Sequence, residues 1–264
     1  MYQEIIEQLL DTGVLDRQMR VLVVCGGDAD RDALQACGLR NVVISNLDTR
    51  MDGDEFAPFD WSFQDAEELS FDDDTFDFAL CHWGLHHCYS PHRAVQEMYR
   101  VSRKGILFFE PCDNLLTRLG VTLHVGQRYE HAAVFYNDNA YGGVRNSPIP
   151  NYIYRWTERE VIKTISALAP YGEHRFEFFY RMRIPWTQLK GRKNNLFYYA
   201  VALARPLLKA FEVVFPRQSN NFAALVLKPN LPGDLHPWLR QDNGAVELDE
   251  SWLDRRYGTL PEST

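Results

Sequence analysis

The chain has 264 residues, 45% of them hydrophobic and 24% charged, with a formal net charge of −8. That length suits one α/β domain with insertions, the apolar share is ample for a core, and the acidic balance argues against nucleic acid as a partner. No run of 18 apolar residues offers a membrane span, and five cysteines, an odd number without framework spacing, suit a reducing cytoplasm.

In chain order, MYQEIIEQLLDTG is acidic and amphipathic, unlike a signal peptide. Val21-Leu22-Val23-Val24 is a β-branched run that predicts a buried strand. It leads into Cys25-Gly26-Gly27-Asp28-Ala29-Asp30 and a helix from about Arg31 to Ala36. Two adjacent glycines suffice for a tight turn and close backbone approach to a ligand. A second strand spans Asn41 to Ser45, followed by Asn46-Leu47-Asp48. Residues 63–111 then pass through an acid-bearing loop, a strand, the turn Leu85-His86-His87, a helix from Ala94 to Lys104 and a strand from Ile106 to Glu110. That order is one half of a doubly wound α/β sheet, whose ligands sit outside the carboxyl ends of the strands.

Cys112 to Pro150 is rich in Tyr, Asn, Gly and His with weak periodicity, and long patternless segments of this kind are usually functional or disordered. Thr157 caps a helix from Glu158 to Leu168, with Glu160 completing a capping box. A strand from Arg175 to Tyr180, a helical apolar insert from Asn195 to Phe215 and a last strand from Asn221 to Lys228 follow. The tail from Pro229 to Thr264 reads as appended and partly disordered. No internal repeat is present.

Asp65-Ala66-Glu67-Glu68-Leu69, Phe71 to Asp77, Leu85-His86-His87 and the basic helix end before Gly105 succeed one another in fixed order. The block resembles the class I S-adenosylmethionine-dependent methyltransferases, in the branch with D-A-x-x-L-P-F-x-D-x-x-F-D and L-H-H motifs. The likeness covers residues 20–111 well, 157–228 loosely and the tail not at all. It implies a mostly parallel, seven-stranded, Rossmann-like sheet with insertions after strands 5 and 6, S-adenosylmethionine as cofactor, and methyl transfer. The implied organisation is a donor-binding domain over residues 1–228, with acceptor-covering insertions at 112–156 and 185–218, and an appended tail at 229–264. The first turn departs from the family pattern. Val23 replaces the strand's acid, and Cys25 and Ala29 replace the first and third glycines.

The resemblance implies donor contacts from Cys25, Gly26, Gly27 and Asp28, from Asn46, Leu47 and Asp48, from Asp65, Ala66 and Glu67, and from His82 and Trp83. Asn46 sits at the position of the ribose-binding acid and Asp48 lies two residues on; both stay open as ribose partners. A dinucleotide reading lacks G-x-G-x-x-G spacing, and Asp28 and Asp30 would repel a diphosphate while tolerating a sulfonium.

Methyl transfer needs mainly in-line positioning, which can supply roughly 7–11 kcal/mol of the barrier, and a general base where the acceptor is a hydroxyl. The candidate catalytic groups are His86 and His87 past the fourth strand, His124 and His131 in the first insertion, and Glu110 at the end of strand five. The plainer roles are turn-fixing or packing for each histidine, and a hydrogen-bonded strand-end carboxylate for Glu110. Cys81, His82, His86, His87, Cys88 and His92 invite a metal reading. Cys81 and His82 point to opposite faces of a strand, however, so no metal site is assigned.

Tyr129, Phe135, Tyr136, Tyr141 and Tyr152 could cover an apolar or sugar-like ring. The Cys-Gly-Gly loop and residues 151–160 resemble methyltransferases encoded beside glycosyltransferases. The expected activity is therefore O-methylation of a small-molecule or glycan-related acceptor by a cytoplasmic enzyme without nucleic-acid partner or membrane span. The second insert would serve as sheet-edge packing, lid or homodimer contact. The alternatives are C- or N-methylation of a small metabolite, or a donor-fold scaffold that has lost catalysis.

Overall fold

The computed structural model describes residues 1–184, 186 and 195–258. Seven strands form one sheet: β1 (Arg20–Val24), β2 (Asn41–Asn46), β3 (Asp60–Phe63), β4 (Phe76–His82), β5 (Ser102–Pro111), β6 (Arg175–Arg181) and β7 (Asn221–Leu227). Their spatial order is β3-β2-β1-β4-β5-β7-β6. β1 to β5 pair in parallel, while β7 runs antiparallel to both β5 and β6. The doubly wound α/β class expected from the sequence is the observed one.

The central strands are apolar throughout because helices cover both faces. Val21 and Val23 face a core shared with Ile5, Ile6 and Leu9 of helix α1 (Tyr2–Asp11) and Leu34 of α2 (Asp28–Ala36). Leu22 and Val24 face the opposite core, with Ala94, Val95 and Met98 of α3 (Pro91–Val101) and Val161 and Ile165 of α6 (Glu158–Leu168). β2 and β4 flank β1, so the chain reverses its winding beside the carboxyl end of β1. A doubly wound sheet opens a crevice at such a reversal.

Local chemistry moves several boundaries. α3 spans Pro91–Val101 rather than Ala94 to Lys104, because Ser90 Oγ accepts the Arg93 N–H and Pro91 fits the first helical position. Arg103 and Lys104 accordingly lie in β5. α2 begins at Asp28, three residues early, because the Asp30 carboxylate folds back onto the Gly27 N–H at 2.9 Å. β3 has no counterpart in the sequence reading. It is short, and its burial is only partial. The Thr157–Glu160 capping box forms as expected.

The first insertion is a closed excursion. The Trp156 N–H reaches the Pro111 carbonyl at 2.9 Å and the Asp113 N–H reaches the Trp156 carbonyl at 2.8 Å, so the chain returns to the tip it left. Two short helices, α4 (Leu115–Thr122) and α5 (His131–Tyr136), lie inside it. In the second insert, helices Asn195–Leu203 and Arg205–Val214 are present, while residues 185 and 187–194 lie outside the described residues. A hairpin pairs Leu239–Asp242 with Ala245–Leu248 across Asn243-Gly244, both at positive φ, and a helix spans Glu250–Tyr257. Residues 259–264, including the final PEST, lie outside the described residues. No described helix is long and apolar enough to cross a membrane.

Candidate active site

The carboxyl tips of β1 to β4 surround a cavity of about 210 Å³. Its lining from the strand tips includes Cys25, Asn46, Leu47, Asp65, Ala66, Glu67, Trp83 and His87. Gly142, Gly143, Arg145 and Asn146 of the first insertion close the other side. A larger hollow of about 580 Å³ lies among Asp74, Arg100, Arg103 and Lys228, at the amino ends of β4 and β5. Ligands of this sheet class bind at the opposite ends, so the smaller cavity is the candidate site.

The turn after β1 is shaped by steric exclusion. Cys25 has φ +55°, in the left-handed region that favours glycine. The Gly26 N–H bonds to the Ser45 carbonyl at 2.8 Å, and a Cβ on Gly26 would lie 2.8 Å from side-chain carbons of Ile44 and Val23. A Cβ on Gly27 would meet nothing within 4 Å. Gly26 is therefore the packed glycine, and Gly27 the one facing open space. Asp28 is exposed and pairs with Arg31 at 3.2 Å. Neither Gly26, Gly27 nor Asp28 lines the cavity wall.

Asn46 and Asp48, left open as alternatives, separate. Asn46 lines the cavity, with its amide nitrogen on the Gly26 carbonyl at 2.7 Å and its amide oxygen on the Asp48 N–H at 3.1 Å. Asp48 is buried outside the wall and takes the Arg50 guanidinium, whose Nε lies at 2.8 Å. That pairing holds its carboxyl below the usual range. Arg50 in turn lies over the Tyr141 ring, 3.8 Å from its centroid. Asp65 reaches the cavity, but its Oδ2 pairs with Arg145 at 2.7 Å. Glu67 is turned to the backbone, accepting the Tyr89 and Ser90 N–H groups at 2.9 and 2.8 Å.

His82 does not reach the cavity. It stacks on Tyr2 at 4.3 Å and lies 3.8 Å from Asp30; burial, then Arg183, lowers its pKa to about 4. Trp83 is a wall residue at φ +61°. His124 and His131 sit at the end of α4 and the start of α5, away from the wall. The structure brings neither of them to the candidate site.

His86, His87 and Glu110 meet a partner that sequence reasoning missed, Glu130. His86 is 3% exposed, with Nδ1 at 2.6 Å from Glu110 Oε2 and Nε2 at 3.1 Å from Glu130 Oε2. Burial opposes its charge, but Glu110 and then Glu130 outweigh that and push its pKa up to about 10. A histidine held as imidazolium cannot accept a proton, which removes His86 as general base. Glu110 is fully buried and also accepts the Leu85 N–H at 2.8 Å, so it holds the turn rather than facing a ligand. His87 reaches the cavity wall, with Nδ1 at 3.3 Å from the Gly143 carbonyl and Nε2 at 3.5 Å from Glu130 Oε2. Burial, then the charge of His86, lowers its pKa. Glu130 belongs to an Asn-, Tyr- and Gly-rich stretch without periodicity, and no local signal marks it.

Residues 20–109 match the family model described as a methyltransferase domain. No curated protein matches the chain in sequence. Among solved structures, YcgJ of Bacillus subtilis is similar at 13% identity and TM-score 0.50, over 85% of this chain and 98% of that one. The [4+2]-cyclase SpnF is similar at 15% and 0.50, over 86% and 80%. A chain from the complex of the Haloferax volcanii Trm112 methyltransferase activator with a methyltransferase is similar at 13% and 0.51, over 87% and 95%. These likenesses concern the fold. With the match over residues 20–109, the enzyme is an S-adenosylmethionine-dependent methyltransferase, and S-adenosylmethionine is its cofactor.

Proposed function

We propose that the enzyme methylates an oxygen of a small, ring-bearing acceptor, glycan-related units included. The observation that carries this reading is the wall of the cavity. His87 lines it and lies 3.5 Å from Glu130, a proton-accepting pair, and the insertion that supplies Glu130 also carries exposed aromatic side chains outside the wall. Tyr129 and Tyr152 meet edge to face at 5.5 Å, and both are about half exposed, as are Phe135 and Tyr136 to a greater degree. Such faces suit sugar or aromatic rings. The insertions at 112–156 and 185–218 then cover the acceptor, and the tail stands apart from the chemistry.

The residues present fit the donor. Gly27 leaves room for close approach, Asn46 and Asp65 would offer oxygens to ribose and adenine from the cavity lining, and Cys25, Leu47, Ala66 and Trp83 would supply apolar contact. When bound, S-adenosylmethionine supplies a methyl group on a positively charged sulfur. The chain's own task is to hold the acceptor oxygen in line, exclude water and receive the hydroxyl proton at the His87–Glu130 edge. The neighbouring imidazolium of His86 keeps Glu130 ionised and in place; although burial raises the Glu130 pKa, His86 brings it below the usual range.

Calorimetric titration with S-adenosylmethionine, followed by methyl-transfer assays on phenol, sugar and amine acceptors, tests the reading. Asp65→Ala should weaken donor binding and leave the fold intact. Methylation confined to amines would overturn the oxygen assignment, and unchanged donor affinity in Asp65→Ala would overturn the adenine contact.

A further inference from the structure

Three side-chain atoms from two separate segments point at one another beside the donor cavity. One ligand atom each of His86, His87 and Glu130 lies within 4.8 Å of the other two, and Nε2 is the ring nitrogen that each histidine turns to Glu130 Oε2. We propose that His86, His87 and Glu130 bind a divalent transition-metal ion in an open, three-ligand site on the acceptor side of the cavity, the ion displacing to solvent the proton held between His86 Nε2 and Glu130.

The spacing suits a shared ion. Two ligands each about 2.0–2.1 Å from one metal, at an angle between about 90° and 110°, lie about 2.8–3.4 Å apart. The observed separations from Glu130 Oε2 are 3.1 Å to His86 and 3.5 Å to His87. Two imidazoles and a carboxylate suit zinc, iron or manganese rather than magnesium or calcium, which prefer oxygen alone.

The surroundings are those a metal site requires. A ligating histidine donates its other ring N–H to a carboxylate or carbonyl, which fixes the tautomer and aims the free nitrogen. His86 Nδ1 lies 2.6 Å from Glu110 Oε2, and His87 Nδ1 lies 3.3 Å from the Gly143 carbonyl. Glu110 cannot swing in as a ligand itself, since its other oxygen holds the Leu85 N–H at 2.8 Å. Glu130 is anchored through its own N–H to the Asn151 carbonyl at 2.9 Å, and Asn151 Nδ2 stands 3.5 Å from Oε2.

The site is closed on one side only. His86 is buried, while His87 and Glu130 are each 26% exposed and His87 lines the cavity. Open positions on that side are the mark of catalytic rather than structural metal sites. There the ion would take an oxygen of the acceptor and lower the pKa of its hydroxyl, in place of direct proton capture by His87 and Glu130; this role rests on the O-methylation reading, and metal binding itself does not.

The test uses the full chain, stripped with a chelator and free of donor and acceptor. Co²⁺ is titrated while the visible ligand-field bands are followed, and Zn²⁺ is then added as competitor. The expected result is one Co²⁺ per chain, bleached by one equivalent of Zn²⁺. His87→Ala and Glu130→Gln, both at partly exposed positions, should abolish the bands, and Glu110→Gln should weaken binding roughly 10–100-fold. His131→Ala, next to the site in sequence but outside the cluster, should leave the bands unchanged. Absence of the bands in the wild-type chain, or their survival in His87→Ala and Glu130→Gln, would overturn the proposal and leave the cluster bridged by protons. Donor calorimetry on the same samples separates the two readings. A chain that binds Co²⁺ but not S-adenosylmethionine refutes the donor site alone, and the reverse refutes the metal site alone.

Discussion

The strand tips and the excursion between Pro111 and Trp156 build the same cavity by opposite routes. Asn46, Asp65 and Trp83 stand at or just past the ends of parallel strands, and sheet register fixes them: Val23 is opposite Ile44, Val24 opposite Cys81, and Asn46 opposite Phe63. Glu130, Gly143 and Arg145 come from a segment with two short helices and no sheet strand of its own. Their places depend on single contacts made far along the chain, such as Asn151 with the His86 carbonyl at 3.1 Å. The first group follows from periodicity. The second follows from tertiary pairing and is the more easily displaced.

The largest effect should come from the point where the two routes meet. Glu110→Ala removes the main partner of a buried imidazolium and leaves the Leu85 N–H without its acceptor. Breaking a buried ion pair on one side costs about 3–5 kcal/mol. Urea denaturation should register a loss of that size. A loss below about 1 kcal/mol would mean that the excursion alone holds the cluster, reversing the comparison.

Next comes a pH effect confined to the strand-tip side. Burial raises the Asp30 pKa from 3.8 to about 6, although the Gly27 N–H works the other way. A carboxyl raised on folding gives stability that is full below about 3.8 and lost as pH rises through about 6. Asp30→Asn keeps an oxygen for Gly27 and removes the buried charge. It should flatten that limb and, at about 1.4 kcal/mol per pKa unit, gain up to about 3 kcal/mol at neutral pH. His82, 3.8 Å away and stacked on Tyr2, titrates with opposite sign, so the wild-type-minus-variant difference is the quantity to measure. No such difference between pH 4 and 7 would show the carboxylate to be better solvated than its burial implies.

The paired glycines sharpen the same side. Gly26→Ala places a Cβ 2.8 Å from Ile44 and Val23 and should cost about 1–3 kcal/mol by overpacking. Gly27→Ala meets nothing within 4 Å and should change stability by less than about 0.5 kcal/mol. Thermal melts of the two variants check this. Equal losses would mean that the turn, rather than packing, demands both glycines.

How much could be read beforehand follows the same division. The apolar runs of β1, β2 and β4, the Thr157 cap and the L-H-H turn carry their own local signals, and each formed where expected. β3 was missed because Asp60–Phe63 is short and half-exposed, and its Asp-Trp-Ser-Phe alternation runs for only four residues. The tail hairpin had a readable signal in Asn243-Gly244, obscured by the flanking prolines and tryptophans. At the site, His86 and His87 were legible as a pair but not in their division of labour. That division depends on Glu130, 44 residues away from His86 and brought in by the excursion. Asp48 stood beside Asn46 as an open ribose partner, and the structure pairs it with Arg50, two residues on.

The smallest effect separates the two regions most directly. Arg145, at φ +50° in the excursion, reaches the strand-tip side with Nη2 2.7 Å from Asp65 Oδ2 and Nη1 3.3 Å from Glu67 Oε2. The cavity it helps close, about 210 Å³, is below the ~300–1,000 Å³ of typical ligand pockets. On the proposed adenine contact, Arg145 competes with the donor for the Asp65 carboxylate, and the donor would gain that oxygen only as the ion pair opens. Partly exposed pairs of this kind contribute about 0.2–1 kcal/mol. Arg145→Ala should thus tighten S-adenosylmethionine binding by roughly 1.4- to fivefold, chiefly through faster association, which stopped-flow fluorescence of Trp83 can follow. Weaker binding in the variant would instead make Arg145 a donor contact and the excursion a part of the donor site. In that case the strand tips would not be sufficient for cofactor recognition, and the boundary between the two regions would have to be redrawn through Asp65.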